Sequence, residues 1–176
     1  MLNSSEKSEG GNQVFKLGDK IVYPMYGAGV IENIEDRIVD GEKELLYTVK
    51  IPVGNLTIIA AESKLKKFGI RRVSAADVVI DTIKNVQPIE MPDNWNIRYK
   101  ENQERIKSGD LVKVMEVFKT LIFRERIKTL SSAEKKMLGN AKQIILSEII
   151  LSQEISKAEA EKLLISNCKD NAVAIA

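Results

Sequence analysis

Histidine is absent from this chain of 176 residues, and cysteine occurs once. Without imidazole there is no Ser-His or Cys-His nucleophile pair and none of the commonest metal ligand, so catalysis would have to run on carboxylates, lysines or a cofactor. The lone Cys168 excludes an intramolecular disulfide and a cysteine-based metal cluster. Charge of one sign is also lacking: 27 Lys+Arg against 25 Asp+Glu leave a net charge of +2. Residues 15–72 carry 10 basic and 8 acidic side chains and residues 73–152 carry 13 and 11, so neither part can hold nucleic acid by attraction alone. No apolar run approaches the roughly 18 residues of a membrane helix. The N-terminus is rich in Ser, Glu and Gly and lacks the basic-then-apolar order of a secretion signal, so the expected location is the cytoplasm. No membrane, small-molecule substrate or cofactor is indicated.

What is present is patterning. With 44% hydrophobic and 30% charged residues the chain has the composition of a globular protein with room for one large or two small cores. Residues 1–14 are polar and unpatterned and are expected to be a disordered tail. From Phe15 to about Ala61 the punctuation is that of strands and tight turns, with Asp40-Gly41 the strongest hairpin signal, joining Ile31–Val39 to Glu44–Ile51. Pro52-Val-Gly-Asn55 then turns the chain into Leu56-Thr-Ile-Ile-Ala60. Four or five short strands in so few residues predict a small SH3-like or Tudor-like barrel over residues 15–72. Gly27-Ala-Gly29 is read as a strand turn, because Val30 and Ile31 continue a strand where a phosphate loop would open a helix.

Beyond Arg72 the period changes from two to nearly four, which predicts an all-α bundle of about five helices over residues 73–166. Ser74 and Asp77 suggest a cap for a helix through Ile83, and Pro88 and Pro92 mark a linker. Asp110 should cap a helix whose Leu111, Val114, Met115, Phe118, Leu121 and Ile122 recur at spacings of three and four. Ser131 with Glu134 forms a capping box before Met137, Leu138, Ala141, Ile144, Ile145 and Ile149, and Ser156 with Glu159 repeats it. That last helix should run to about Leu164, leaving residues 167–176 as a flexible tail. The fold class is therefore α+β with two domains.

The only tryptophan, Trp95, stands at the first turn of a helix after Pro92 and Asp93, with Arg98 and Lys100 beside it. Two readings fit. Either the indole seals its helix against a neighbour, or it projects to stack on a base or wedge into a base step while the cations meet phosphates. On a helical projection Trp95, Arg98, Asn102 and Arg105 share one side, a face that suits nucleic acid, with Tyr99 and Ile106 docking the helix from the flank. Lys135 and Lys136 lie in the first turn of the next long helix, where the macrodipole disfavours cations. They either face phosphates or are simply solvated.

Phe15-Lys-Leu-Gly-Asp-Lys-Ile-Val-Tyr-Pro-Met-Tyr-Gly-Ala-Gly-Val30, Asn94-Trp-Asn-Ile-Arg-Tyr-Lys100 and Leu130-Ser-Ser-Ala-Glu-Lys-Lys-Met-Leu138 together resemble the CarD/CdnL family of bacterial transcription regulators, in order and over residues 15–165. The first motif alone would also fit the polymerase-binding module of the transcription-repair coupling factor. The helical motifs would not, and the chain lacks that helicase's Gly-x-x-x-x-Gly-Lys-Ser/Thr loop. The resemblance implies a Tudor-like domain that binds the β subunit of RNA polymerase through an exposed strand edge. It implies a helical domain that meets promoter DNA at the upstream fork of the transcription bubble. By the match, Arg37, Thr57, Ile58 and Ile59 fall at the polymerase interface, Trp95 enters the minor groove, and Arg98, Lys100 and Lys135 hold phosphates. Arg105 joins the DNA-binding set from its place on the Trp95 face. The chain departs from the family at Ile59, where a basic residue is often found, and at Ile97, which replaces the first arginine after the tryptophan of some members. The implied function is non-enzymatic stabilisation of the open complex. The rivals are a polymerase adaptor with no DNA contact and a histidine-free enzyme for which no residues stand out.

Overall fold

A turn built on residues with positive φ organises the N-terminal half. In the computed structural model, which describes residues 14–169, strand β1 (Lys20–Tyr23) returns through a tight turn into the long β2 (Gly27–Val39). Asp40 and Gly41 then take φ of 53° and 86°, the left-handed pair that a two-residue hairpin needs, and lead into β3 (Glu42–Ile51). Gly54 and Asn55 repeat the device before β4 (Leu56–Ala61). A short helix α1 (Glu62–Lys67) and a two-residue strand β5 (Arg71–Arg72) complete this half. The sheet is antiparallel in the order β4-β3-β2-β1-β5. It stays open, in contrast to the closed barrel expected, because β5 is too short to carry pairing beyond β1 and leaves β4 an edge strand.

Alternation along the strands places Ile21, Ile31, Tyr47, Val49, Ile51 and Ala60 in one core with Phe15 and Leu65 of α1. The register slips between Ile31 and Asn33, where a bulge bends β2. Of the predicted disordered tail, Val14 packs on this core and its amide donates to Glu62. Residues 1–13 lie outside the described residues, as do residues 170–176 of the predicted C-terminal tail.

The second half is helical: α2 (Ala76–Asn85), α3 (Trp95–Lys107), α4 (Leu111–Ile127), α5 (Ser132–Gln153) and α6 (Lys157–Lys169). Asp110 caps α4 by accepting from the Lys113 amide, and the Ser131–Glu134 capping box opens α5. Ser74 caps nothing; its hydroxyl accepts from Arg71, and α2 begins after Ala75 without a side-chain cap. Helix α6 continues to Lys169, well past the expected end at Leu164, because Leu164 is buried and Leu163 and Cys168 also pack on the helical core. The predicted stripes of α4 and α5 form that core, with Ile122 and Leu138 at its margin. Burial of each such aliphatic side chain contributes about 1.5–3 kcal/mol relative to exposure.

The two halves meet along the C-terminal half of α5. The Ala28 amide donates to the buried Ser147 hydroxyl at 2.7 Å. Gly27, at φ 111°, lies so close that an added Cβ would stand 2.5 Å from Ser147 Oγ. Arg71 donates from both terminal nitrogens to Glu148, at 2.7 and 2.8 Å, and from Nε to the Gly109 carbonyl. Glu148 is wholly buried and also accepts from the Ser74 amide. Lys20 closes the joint, donating to the Leu151 carbonyl and to Glu154.

Candidate nucleic-acid interface and sheet edge

Helix α3 opens on Asn94, whose side chain accepts from the amides of Asn96 and Ile97, which makes Trp95 its first residue. The indole is 43% exposed. It stacks on Tyr99, ring centroids 5.3 Å apart and planes 20° from parallel, and its N–H donates to Ser131 Oγ at 3.3 Å. That hydroxyl is fully engaged, since it also accepts from the Glu134 amide and donates to the Glu134 carboxylate. The tryptophan is thus held at the place where the N-termini of α3 and α5 converge, with one face of its ring covered by Tyr99. Two helix N-termini add a local positive field to which net charge is blind.

The cations divide in a way that the helical projection did not anticipate. Arg98 is 4% exposed. Its Nε donates to Glu134 at 2.9 Å, and one terminal nitrogen donates to the carbonyls of Pro92 and Asp93. It clamps α3 to α5, with its guanidinium turned into the protein. Asn102 is buried as well and donates to Met91 Sδ, so the side of α3 expected to meet nucleic acid is divided, Arg98 and Asn102 packing inward while Trp95 stays exposed. Arg105 is partly exposed but pairs with Glu116 of α4 at 2.5 Å. Lys100 is exposed and lines an open groove of about 620 Å³ with Ile97, Glu101, Glu104, Arg105 and Lys113. Lys135 and Lys136 are exposed on the first turn of α5, and Lys136 borders a second groove of about 510 Å³ that includes Tyr99, Gln103 and Asn140.

Burial pushes the Glu134 carboxyl upward, but the Ser131 amide, the Arg98 guanidinium and the Ser131 hydroxyl outweigh it and hold its pKa below the usual range. A second guanidinium waits nearby. Arg124 Nε is buried without a hydrogen-bond partner, 3.7 Å from the same Glu134 oxygen. Glu134 is legible as a capping residue from Ser131 three positions earlier; no local pattern signals that Arg98 and Arg124 share this carboxylate.

The other candidate surface is the outer face of the sheet. Thr57 and Ile59 on β4 point outward, opposite Lys50 and Thr48 of β3, and Ile59 is 64% exposed. Arg37 lies on the same outer face near the hairpin end, paired loosely with Glu35. Ile58 points the other way and packs on the sheet core, so at this position only its backbone is offered to the edge. Among the described residues no helix is long and apolar enough to cross a membrane.

Comparison with known proteins matches both halves. Residues 15–74 match the model of the CarD-like/TRCF RID domain, and residues 78–165 match that of the CarD C-terminal domain. The chain is 35% identical over 159 residues to the "Putative transcription factor YdeB" of Bacillus subtilis (strain 168), covering 87% of this chain and 99% of that protein.

Proposed function

Because this chain belongs to the CarD-like family of transcription factors, we propose that it binds the β subunit of RNA polymerase with its sheet edge and promoter DNA with its helical domain. Trp95 enters the minor groove at the upstream fork of the bubble and so stabilises the open complex. Lys100 and Lys135 contact phosphates, Arg105 contributes only when it leaves Glu116, and Arg98 acts from inside as the clamp of the Trp95 helix. Strand β4 accepts a polymerase strand through its backbone edge, unpaired among the described residues, with Thr57, Ile59 and Arg37 on the adjoining face. Ile59 makes that contact more apolar than a basic residue would. The role requires no chemistry and places the protein in the cytoplasm.

One observation carries this reading: the single indole is exposed yet partnered, stacked on Tyr99 and hydrogen-bonded to Ser131. A residue that only sealed the core would be buried, and one that was merely solvated would not be pinned. A pre-positioned wedge gives up little side-chain freedom on binding. If it fits the distorted fork better than the closed duplex by roughly 1–3 kcal/mol, it shifts the equilibrium by roughly 5- to 150-fold. Weak DNA contact suffices, because attachment to polymerase raises the local concentration.

The test is the lifetime of open complexes formed with RNA polymerase, with this protein and with Trp95→Ala, after calorimetry has shown that both fold. The expected result is a longer lifetime that falls at least fivefold in the variant. Polymerase binding with no change of lifetime in either form would replace this reading with that of an adaptor without DNA contact.

A further inference from the structure

The polar joint between sheet and helices lies outside the two main apolar cores. The sheet core is built from Phe15, Ile21, Ile31, Tyr47 and their neighbours, while the helical core draws on α2 to α6 with Val53 as its sheet-side member. Between them one stretch of α5 receives three strands through hydrogen bonds: Ser147 takes β2, Glu148 takes β5, and Leu151 with Glu154 takes β1. A buried ion pair is a poor source of stability, because desolvation cancels much of its attraction. It is a strong source of direction. The two-pronged contact of Arg71 with Glu148 permits one orientation, and Nε of the same guanidinium is fixed on the Gly109 carbonyl at the start of α4. An apolar patch would tolerate sliding; this joint does not.

We propose that Glu148, with Arg71, is a positioning residue: the joint is a rigid spacer that holds the β4 edge and Trp95 at the separation and angle that polymerase and DNA present together. The proposal rests on the two-site function above and adds to it the claim that the spacing is itself functional. Neither Arg71 nor Glu148 touches DNA or polymerase in that reading. Their effect comes through the difference between a rigid link and a loose one, since a second contact gains from the first only when geometry allows both at once.

The experiment uses the full chain carrying Glu148→Gln, which keeps the shape and one acceptor oxygen but replaces the other by an amide donor and removes the charge that holds Arg71. Spin labels at Lys43→Cys and Lys157→Cys, in a Cys168→Ser background, report the distance between the halves. The expected result is a broadened distance distribution, polymerase affinity within about twofold of the parent, and an open-complex lifetime shorter by on the order of tenfold. A general loss of folding would instead weaken polymerase binding and lifetime together. Lys20→Ala, which loosens the same joint from its solvent side, guards against a Glu148 variant that does not fold and should give the same split in smaller measure. An unchanged lifetime despite a broadened distribution overturns the proposal, and so does an unbroadened distribution. Trp95→Ala in the parent background, measured alongside, separates failure of the spacer from failure of the two-site function, because only the latter leaves that variant without effect.

Discussion

Replacing Arg98 by alanine separates a structural clamp from a phosphate contact. The substitution removes three hydrogen bonds, to Glu134 at 2.9 Å and to the Pro92 and Asp93 carbonyls at 2.8 and 2.9 Å, and leaves Glu134 buried without its nearest cation. Breaking a buried pair from one side costs about 3–5 kcal/mol. Arg124, 3.7 Å from the same carboxylate oxygen, takes over part of the role, so the lower end applies, about 3 kcal/mol. In a chain of this size that is a fall in Tm of roughly 6–12 °C. An exposed arginine devoted to DNA would cost no more than about 0.5 kcal/mol on removal. Calorimetry and urea denaturation of Arg98→Ala, with Lys100→Ala as the exposed comparison, measure the difference. DNA binding at several salt concentrations supplies an independent reading, because loss of one phosphate contact lowers the slope of log affinity against log salt by about 0.9. That slope should be unchanged in Arg98→Ala. A variant of normal stability with a reduced slope would refute the clamp.

Two further outcomes are expected. The Glu134 carboxyl titrates below its ordinary value in the folded protein, so its share of the stability is present above the unfolded-state pKa of about 4.3 and is lost as pH falls through the lowered folded value. Glu134→Gln should therefore flatten the acid limb of the unfolding free energy measured by circular dichroism, and parallel limbs would contradict this. Gly27→Ala combines a φ of 111° with a clash against Ser147, whereas Gly54→Ala meets a φ of 83° and open space. Urea denaturation should show a loss of about 2–4 kcal/mol for the first and about 1 kcal/mol for the second, and equal losses would mean that the joint yields to admit the methyl group.

Local chemistry was the legible part of this molecule. The Asp40–Gly41 hairpin, the Asp110 cap and the Ser131–Glu134 box each depend on residues within a few positions of one another, and each forms as its sequence implies. The stripes of α4 and α5 are equally plain, because their inward faces are apolar. Helix α3 is different: its inward side includes an arginine and an asparagine, and periodicity cannot say which face of a mostly polar helix turns in. Arg98 finds Glu134 across 36 positions and Arg71 finds Glu148 across 77, distances over which pattern carries no signal. One hint did exist. Ser147 and Glu148 interrupt the run Ile144-Ile145-Leu146 and Ile149 inside a buried helix, and a carboxylate there demands a partner from elsewhere in the chain. The open sheet has a similar origin, since closure depends on the length of β5, two residues that resemble a basic linker.

The placement of Trp95 also makes the protein its own optical instrument. With one indole in the whole chain, half in solvent and 5.3 Å from the ring of Tyr99, its emission arises at a single known position and can be fed by energy transfer from the tyrosine beneath it. A base sliding against the open face would quench that signal, while a partner seated only on β4 would leave it dark to the event. Titration of the unlabelled protein with DNA, or with polymerase, thus distinguishes the two contacts by colour and intensity alone.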